Sequence, residues 1–144
     1  MTRSMRAVVV EKPGPASNLQ LRDVPIPEPT DDQVLIRVRA FGLNRSELHF
    51  RSGVASTGSF PRIPGIEATG VVEAAPGGQF MPGAQVMTMM GGMGRVFDGG
   101  YAEYVVVPAS QVIEFRSSLP WVQLGAVPEM LQTADGSLRV GLEA

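Results

Sequence analysis

Glycine and proline recur along this chain, 17 and 12 in 144 residues, and that punctuation constrains its fold more than any other feature. Few segments between them are long enough for a regular helix, so many short strands joined by turns is the natural reading. Met5 to Glu11 reads as a first strand, turned by Pro13-Gly14-Pro15, and Leu19 to Val24 as a second. Pro25-Ile26-Pro27-Glu28-Pro29 cannot donate a regular ladder and serves as an extended connector. Val34, Ile36, Val38 and Ala40 then alternate with Leu35, Arg37 and Arg39, the pattern of a half-buried strand with its arginines toward water. Further strands are expected over Ala68–Ala75, Ala84–Met90, Tyr101–Val107 and Gln111–Phe115.

The stretch from Gly42 to Val72 carries most of the chemistry. Asn44 is placed to cap a helix over Arg45–Arg51, with Glu47 three residues on at capping-box spacing and Gly53 at the stop. Residues 54–60 are small and polar, the composition of a mobile loop. The turn Pro64-Gly65 then delivers Glu67 to the next strand. The only histidine, His49, lies in the same stretch.

Composition closes off several function classes. Apolar residues make up 44% and charged residues 18%, which suits one globular domain with a modest core. Lys+Arg number 12 against Asp+Glu 14, and the basic residues are scattered, which argues against a nucleic-acid surface. Apolar runs such as Val105-Val106-Val107 fall far short of the roughly 18 residues of a membrane span. The N-terminus has no apolar secretion core. No membrane association and a cytoplasmic location are therefore expected. The chain has no cysteine, which excludes disulfides and thiolate-held metal.

After Ser117 the pattern changes. A short helical turn is expected around Trp121–Leu124, and Pro128 opens a second helix at a position that tolerates its missing N–H. Met130, Ala134 and Leu138, spaced by four, predict its apolar face. The pattern reaches Ala144 without a cap or terminating turn, as expected of a helix that continues into something further.

Five blocks, in order, resemble the medium-chain dehydrogenase/reductases through their GroES-like catalytic domain. They are the strand into Gly42-Leu43-Asn44, Pro64 to Val72, Gly99-Gly100-Tyr101-Ala102-Glu103-Tyr104, Val107-Pro108-Ala109, and Thr133-Ala134-Asp135-Gly136-Ser137-Leu138. The resemblance implies a mainly β fold: a GroES-like, partly open β-barrel with short helices and a C-terminal connecting helix. It assigns residues 1–126 to the GroES-like catalytic domain. Residues 127–144 become the start of a helix leading to a Rossmann domain that lies outside this chain. Gly92-x-Gly94 does not replace that domain, because Phe97 stands where a third glycine belongs.

Zinc-dependent members of that family hold their catalytic metal at three positions, occupied here by Asn44, Ile66 and Glu129. Isoleucine cannot ligate, so no metal is expected. The chain is closer in pattern to the zinc-free, NADPH-dependent quinone oxidoreductases. That likeness implies reduction of quinones or α,β-unsaturated carbonyl compounds by hydride transfer from NADP(H). The partner is then a small hydrophobic carbonyl or quinone, and a homodimer is one assembly the exposed helix face permits. The chain by itself is expected to be inactive. Two alternatives stand beside this reading: a GroES-like binding or assembly module without catalysis, and a zinc-type alcohol dehydrogenase relative that has lost its metal.

The resemblance also assigns candidate roles. Asn44 is expected to hydrogen-bond the nicotinamide ribose or the substrate carbonyl, in addition to capping its helix. His49 falls where the quinone reductases carry a cleft tyrosine, and an imidazole there can deliver a proton; otherwise it is a polar residue on the outer helix face. Glu67 is expected to be partly buried, to bond backbone or Arg51, and to shape the site. Glu47 is read as a capping residue. Thr133 matches a threonine near the nicotinamide carboxamide and is the stronger cofactor candidate of the two; Glu129 occupies the former third-ligand position, either as a cofactor-side residue or simply solvated. Met87, Met89, Met90 and Met93 are read as core, with a pliable wall for a hydrophobic substrate as the alternative.

Overall fold

A computed structural model of the protein describes residues 3–54 and 58–142. Strands β1 (Ser4–Val10) and β2 (Leu19–Pro25) form an antiparallel hairpin in unbroken register from Ser4↔Pro25 to Val10↔Leu19. Five more strands make one antiparallel sheet: β3 (Gln33–Ala40), β4 (Glu67–Ala74), β5 (Gln85–Met89), β6 (Tyr104–Pro108) and β7 (Val112–Glu114). Their order is β6-β3-β4-β5-β7, so β3 and β4 sit inside and the shortest strand lies at an edge. The sheet curls into a half-barrel. Register shifts between β3 and β4 at Leu35/Ile36 and Val38/Ala40 contribute, since an extra residue in one strand increases local twist. The fold is mainly β and GroES-like.

The alternation in β3 sorts as its sequence predicts at one face, with Val34 and Ile36 fully buried and Val38 packed against the same core. Leu35, which shares the arginines' side of the alternation, is buried as well, and Arg37 and Arg39 are the exposed residues at the end of the strand. The main core joins these residues to Ala68, Val72, Val86, Met93, Val105, Val107 and Val112. Burying each valine or isoleucine contributes about 1.5–3 kcal/mol, and their branched side chains suit a pleated surface. A second, smaller core lies under the hairpin: Met5, Ala7, Val9, Ile63 and Ala102. Strand β6 starts three residues later than the sequence suggests, because Ala102 bridges to Ala7 on β1 instead.

Three short helices punctuate the sheet. Helix α1 (Arg45–Arg51) links β3 to β4, α2 (Trp121–Leu124) follows β7, and α3 (Pro128–Asp135) opens on Pro128 as expected. Beyond Asp135 the helix widens into a π-helical segment, Gly136–Gly141. Of the loop predicted over 54–60, residues 55–57 lie outside the described residues, as do the chain's first and last two residues.

Two of the sequence blocks meet in space. Gly65 adopts φ +109°, and a Cβ on it would lie 2.7 Å from the Gly100 nitrogen. The Gly99 and Tyr101 N–H groups donate to the Ile63 and Pro64 carbonyls at 2.8 and 3.0 Å. Backbone packing this close needs glycine on both sides, and it fixes the turn that launches Glu67.

Candidate functional site

Asn44 stands at the corner where β3 leaves the sheet and α1 begins, in extended conformation as a helix N-cap requires. The Glu47 carboxylate folds back to accept the Asn44 N–H at 2.7 Å, closing one arm of the capping box. Its other oxygen accepts the Ile66 N–H at 3.0 Å, a contact 19 residues distant in sequence. Glu47 therefore pins the helix start to the strand that follows.

Glu67 opens β4 and is 2% exposed. One carboxylate oxygen accepts Asn44 Nδ2–H at 2.8 Å, and the other accepts the Glu129 N–H in the first turn of α3 at 2.9 Å. The Glu129 side chain in turn accepts the Thr133 hydroxyl at 2.7 Å. One hydrogen-bonded chain thus runs from Ile66 through Glu47, Asn44, Glu67 and Glu129 to Thr133. Four of the five residues singled out from sequence, Asn44, Glu67, Glu129 and Thr133, belong to it.

His49 does not. It is exposed on α1, and its imidazole makes no hydrogen bond among the described residues. Nor does Arg51 pair with Glu67. Arg51 ends α1, a full helix length away from the Asn44 corner, and its guanidinium bonds the Gly14 carbonyl instead.

The electrostatics follow from burial. Glu47 and Glu67 lie in the interior, 7% and 2% exposed, and both are held by amide N–H groups; neither forms an ion pair with a cation among the described residues. Loss of hydration raises the Glu47 carboxyl above its ordinary value, and the Ile66 and Asn44 backbone donors only partly oppose this. Tyr101 stacks on Phe41 with ring centroids 4.7 Å apart. Burial first, then the charges of Glu47 and Glu67, push its hydroxyl far up, so it remains a neutral phenol. The sequence displays Tyr101 after Gly99-Gly100 but gives no sign that it faces two carboxylates.

The donor set does not fit a zinc ion. Asn44 is engaged with Glu67, Ile66 is buried and cannot ligate, and Glu129 accepts from Thr133. Among the described residues no group of three or more His, Asp or Glu side chains converges on a possible metal position. No helix in the described residues is long and apolar enough to cross a membrane.

The methionines divide. Met93 is core at 1% exposed, while Met90 is exposed and adopts φ +60°. Met87 and Met89 line an apolar groove of about 740 Å³ between α3 and the β5–β7 edge, with Ile113, Leu131, Ala134 and Leu138. Of the predicted helix face, Ala134 and Leu138 line the groove together with Leu131, and Met130 does not.

Known proteins fit this geometry. The alcohol dehydrogenase GroES-like domain matches residues 30–117. A quinone oxidoreductase from Homo sapiens is 37% identical over 127 residues, covering 85% of this chain and 37% of its own length. A zinc-type alcohol dehydrogenase-like protein from Schizosaccharomyces pombe is 27% identical over 135 residues, 93% of this chain and 41% of that protein. The structure of a quinone oxidoreductase from Coxiella burnetii superposes with a TM-score of 0.86 at 27% identity, over 95% of this chain and 45% of that one. The chain spans less than half the length of these relatives.

Proposed function

The chain belongs to the medium-chain dehydrogenase/reductase superfamily through its alcohol dehydrogenase GroES-like domain, and on that premise we propose that it is the substrate-side domain of a zinc-free, NADPH-dependent oxidoreductase. Its substrates are quinones or α,β-unsaturated carbonyl compounds. Residues 1–126 form the catalytic domain, and residues 127–144 lead toward a Rossmann domain that supplies most of the nucleotide site. The single observation that carries this reading is the polar chain joining Asn44 to Thr133 through Glu67 and Glu129. It aligns an amide, a carboxylate and a hydroxyl along one side of the α1–α3 corner, and it engages groups that would otherwise ligate a metal.

A nicotinamide cofactor bound here would supply the hydride. Asn44, Glu129 and Thr133 would hold it: the Asn44 amide toward the ribose or the substrate carbonyl, and Thr133 toward the carboxamide. Buried Glu67 fixes Asn44, so that polar group is preorganised. His49, exposed on α1, is free to deliver a proton to the reduced product. Leu43, next to Asn44, and Leu48, next to His49 in the chain, are exposed and suit a hydrophobic substrate.

The test uses a protein of the relatives' length that carries this chain. NADPH oxidation should follow addition of 9,10-phenanthrenequinone or 1-octen-3-one and should survive chelator. Asn44→Ala should lower kcat/KM by about tenfold or more, the loss of one oriented hydrogen bond. The 144-residue chain alone should show no turnover. Activity abolished by chelator and restored by zinc would overturn the proposal. A second reading, a non-catalytic assembly module, is favoured by the exposed apolar groove beside α3. Failure of every acceptor, together with a dimer in sedimentation, would favour it.

A further inference from the structure

We propose that Glu67 is a positioning residue that couples the attitude of the Asn44 amide to the seating of helix α3. Its two oxygens are assigned to different elements: Oε1 accepts from Asn44 Nδ2 at 2.8 Å and Oε2 from the Glu129 N–H at 2.9 Å. Both oxygens belong to one planar group, so a rotation that follows one donor displaces the other.

The carboxylate has little freedom to absorb such a displacement alone. At 2% exposed it cannot exchange either donor for water without uncovering a buried charge. Gly42 closes over it, since even a Cβ there would collide with Oε1, and the Gly125 carbonyl stands on the same side. Asn44 is constrained in a complementary way. Glu47 holds its backbone N–H at 2.7 Å and also holds Ile66, so the side-chain torsion is the freedom left at that corner. Glu67 sets that torsion.

Helix α3 joins Glu67 to the groove. Its first turn touches Glu67, while Leu131, Ala134 and Leu138 line the open groove against β5 and β7. A load on the groove side, from ligand or from further polypeptide, shifts the Glu129 N–H and through Glu67 turns Asn44. The linkage is two hydrogen bonds through one buried group, a defined physical path and not mere proximity. It rests on the proposed function only in that Asn44 faces the reactants. Its test reads Asn44 directly, so it stands or falls apart from catalysis.

The test is nuclear magnetic resonance on the 15N-labelled 144-residue chain. Leu131→Ala loosens α3 in the groove without removing any group of the linkage. It should displace the Asn44 side-chain amide resonances and speed hydrogen exchange at the Glu129 amide. The Asn18 side-chain amide, held by the Lys12 carbonyl at 3.0 Å in the hairpin turn, should stay in place. In a Glu67→Gln background, where one of the two acceptors becomes a donor, Leu131→Ala should no longer move Asn44. Asn44 resonances unmoved by Leu131→Ala in the parent, or moved equally in both backgrounds, overturn the coupling. If Glu67→Gln prevents folding, the parent comparison decides alone: movement of Asn44 with Asn18 fixed supports the proposal, and no movement overturns it.

Discussion

A carboxylate with no cation beside it survives in a protein interior only where aligned N–H groups replace its lost water. Glu47 and Glu67 meet that condition with two donors each, and the crowding around them makes the site sensitive to single atoms. Gly42→Ala should drive a methyl into Glu67 Oε1 and cost about 1–3 kcal/mol, the range for an overpacked interior. Urea denaturation would read it, and an unchanged midpoint would refute the packing argument. Glu47 makes a pH prediction with the opposite sign to the usual acidic group. Its carboxyl is raised in the folded chain, so the folded state holds that proton more tightly than the unfolded state. Its contribution is complete below the ordinary carboxylate range near 4 and is lost as pH climbs through the raised value. Glu47→Gln removes this dependence, so the stability of the parent relative to the variant should fall with rising pH across the weakly acidic range. The Asn44–Glu47 box was legible in sequence because it closes within four residues. The Glu67–Glu129 bond, 62 residues apart, was not: of the two partners expected for Glu67, backbone or Arg51, the backbone one is made, but nothing local names Glu129 as its source.

Elements in this fold are specified with unequal force. The alternation in β3 announces that strand, and Val34 and Ile36 are buried in the main core as it predicts. Helix α3 has no such anchor. Its spacing-by-four pattern names the helix and places Ala134 and Leu138 on the groove against β5 and β7, where Leu131 joins them and Met130 does not. Gly136 marks where the helix widens. It sits at φ −62° and ψ −38°, and a Cβ there meets nothing within 4 Å. Gly136→Ala should therefore stabilise this end of the chain by about 0.4–1 kcal/mol, through the smaller entropy the unfolded alanine loses. The gain should appear as a deeper helical circular-dichroism signal and slower amide exchange around residues 133–139. A decrease in either would mean that the widened segment depends on the glycine.

At the scale of the molecule, two cores meet across one strand. Val105 and Val107 of β6 face the main core, while Tyr104 packs against the hairpin core. Backbone bonds tie the hairpin to the rest: Val8 N–H to the Tyr101 carbonyl at 2.8 Å, and Val10 paired both ways with Arg62 at 2.8 and 3.0 Å. Between the hairpin and the sheet runs a cleft of about 510 Å³ that is open to solvent, lined by Met5, Val9, Val24, Ile63, Phe97 and Tyr104 among others. Where that cleft separates them, the hairpin and the sheet do not pack directly against each other. The hairpin should therefore open as a separate unit below the global unfolding free energy. Met5→Ala, in the hairpin core, should speed amide exchange within β1 and β2 and leave β3, β4 and β5 near their parent rates. Ile36→Ala, fully buried in the main core, should cost about 2–5 kcal/mol and accelerate every slow amide together. If Met5→Ala instead lowered protection uniformly across both groups of strands, the hairpin and sheet would be one cooperative unit. The cleft would then be a surface feature of one packed body and not a seam along which it separates.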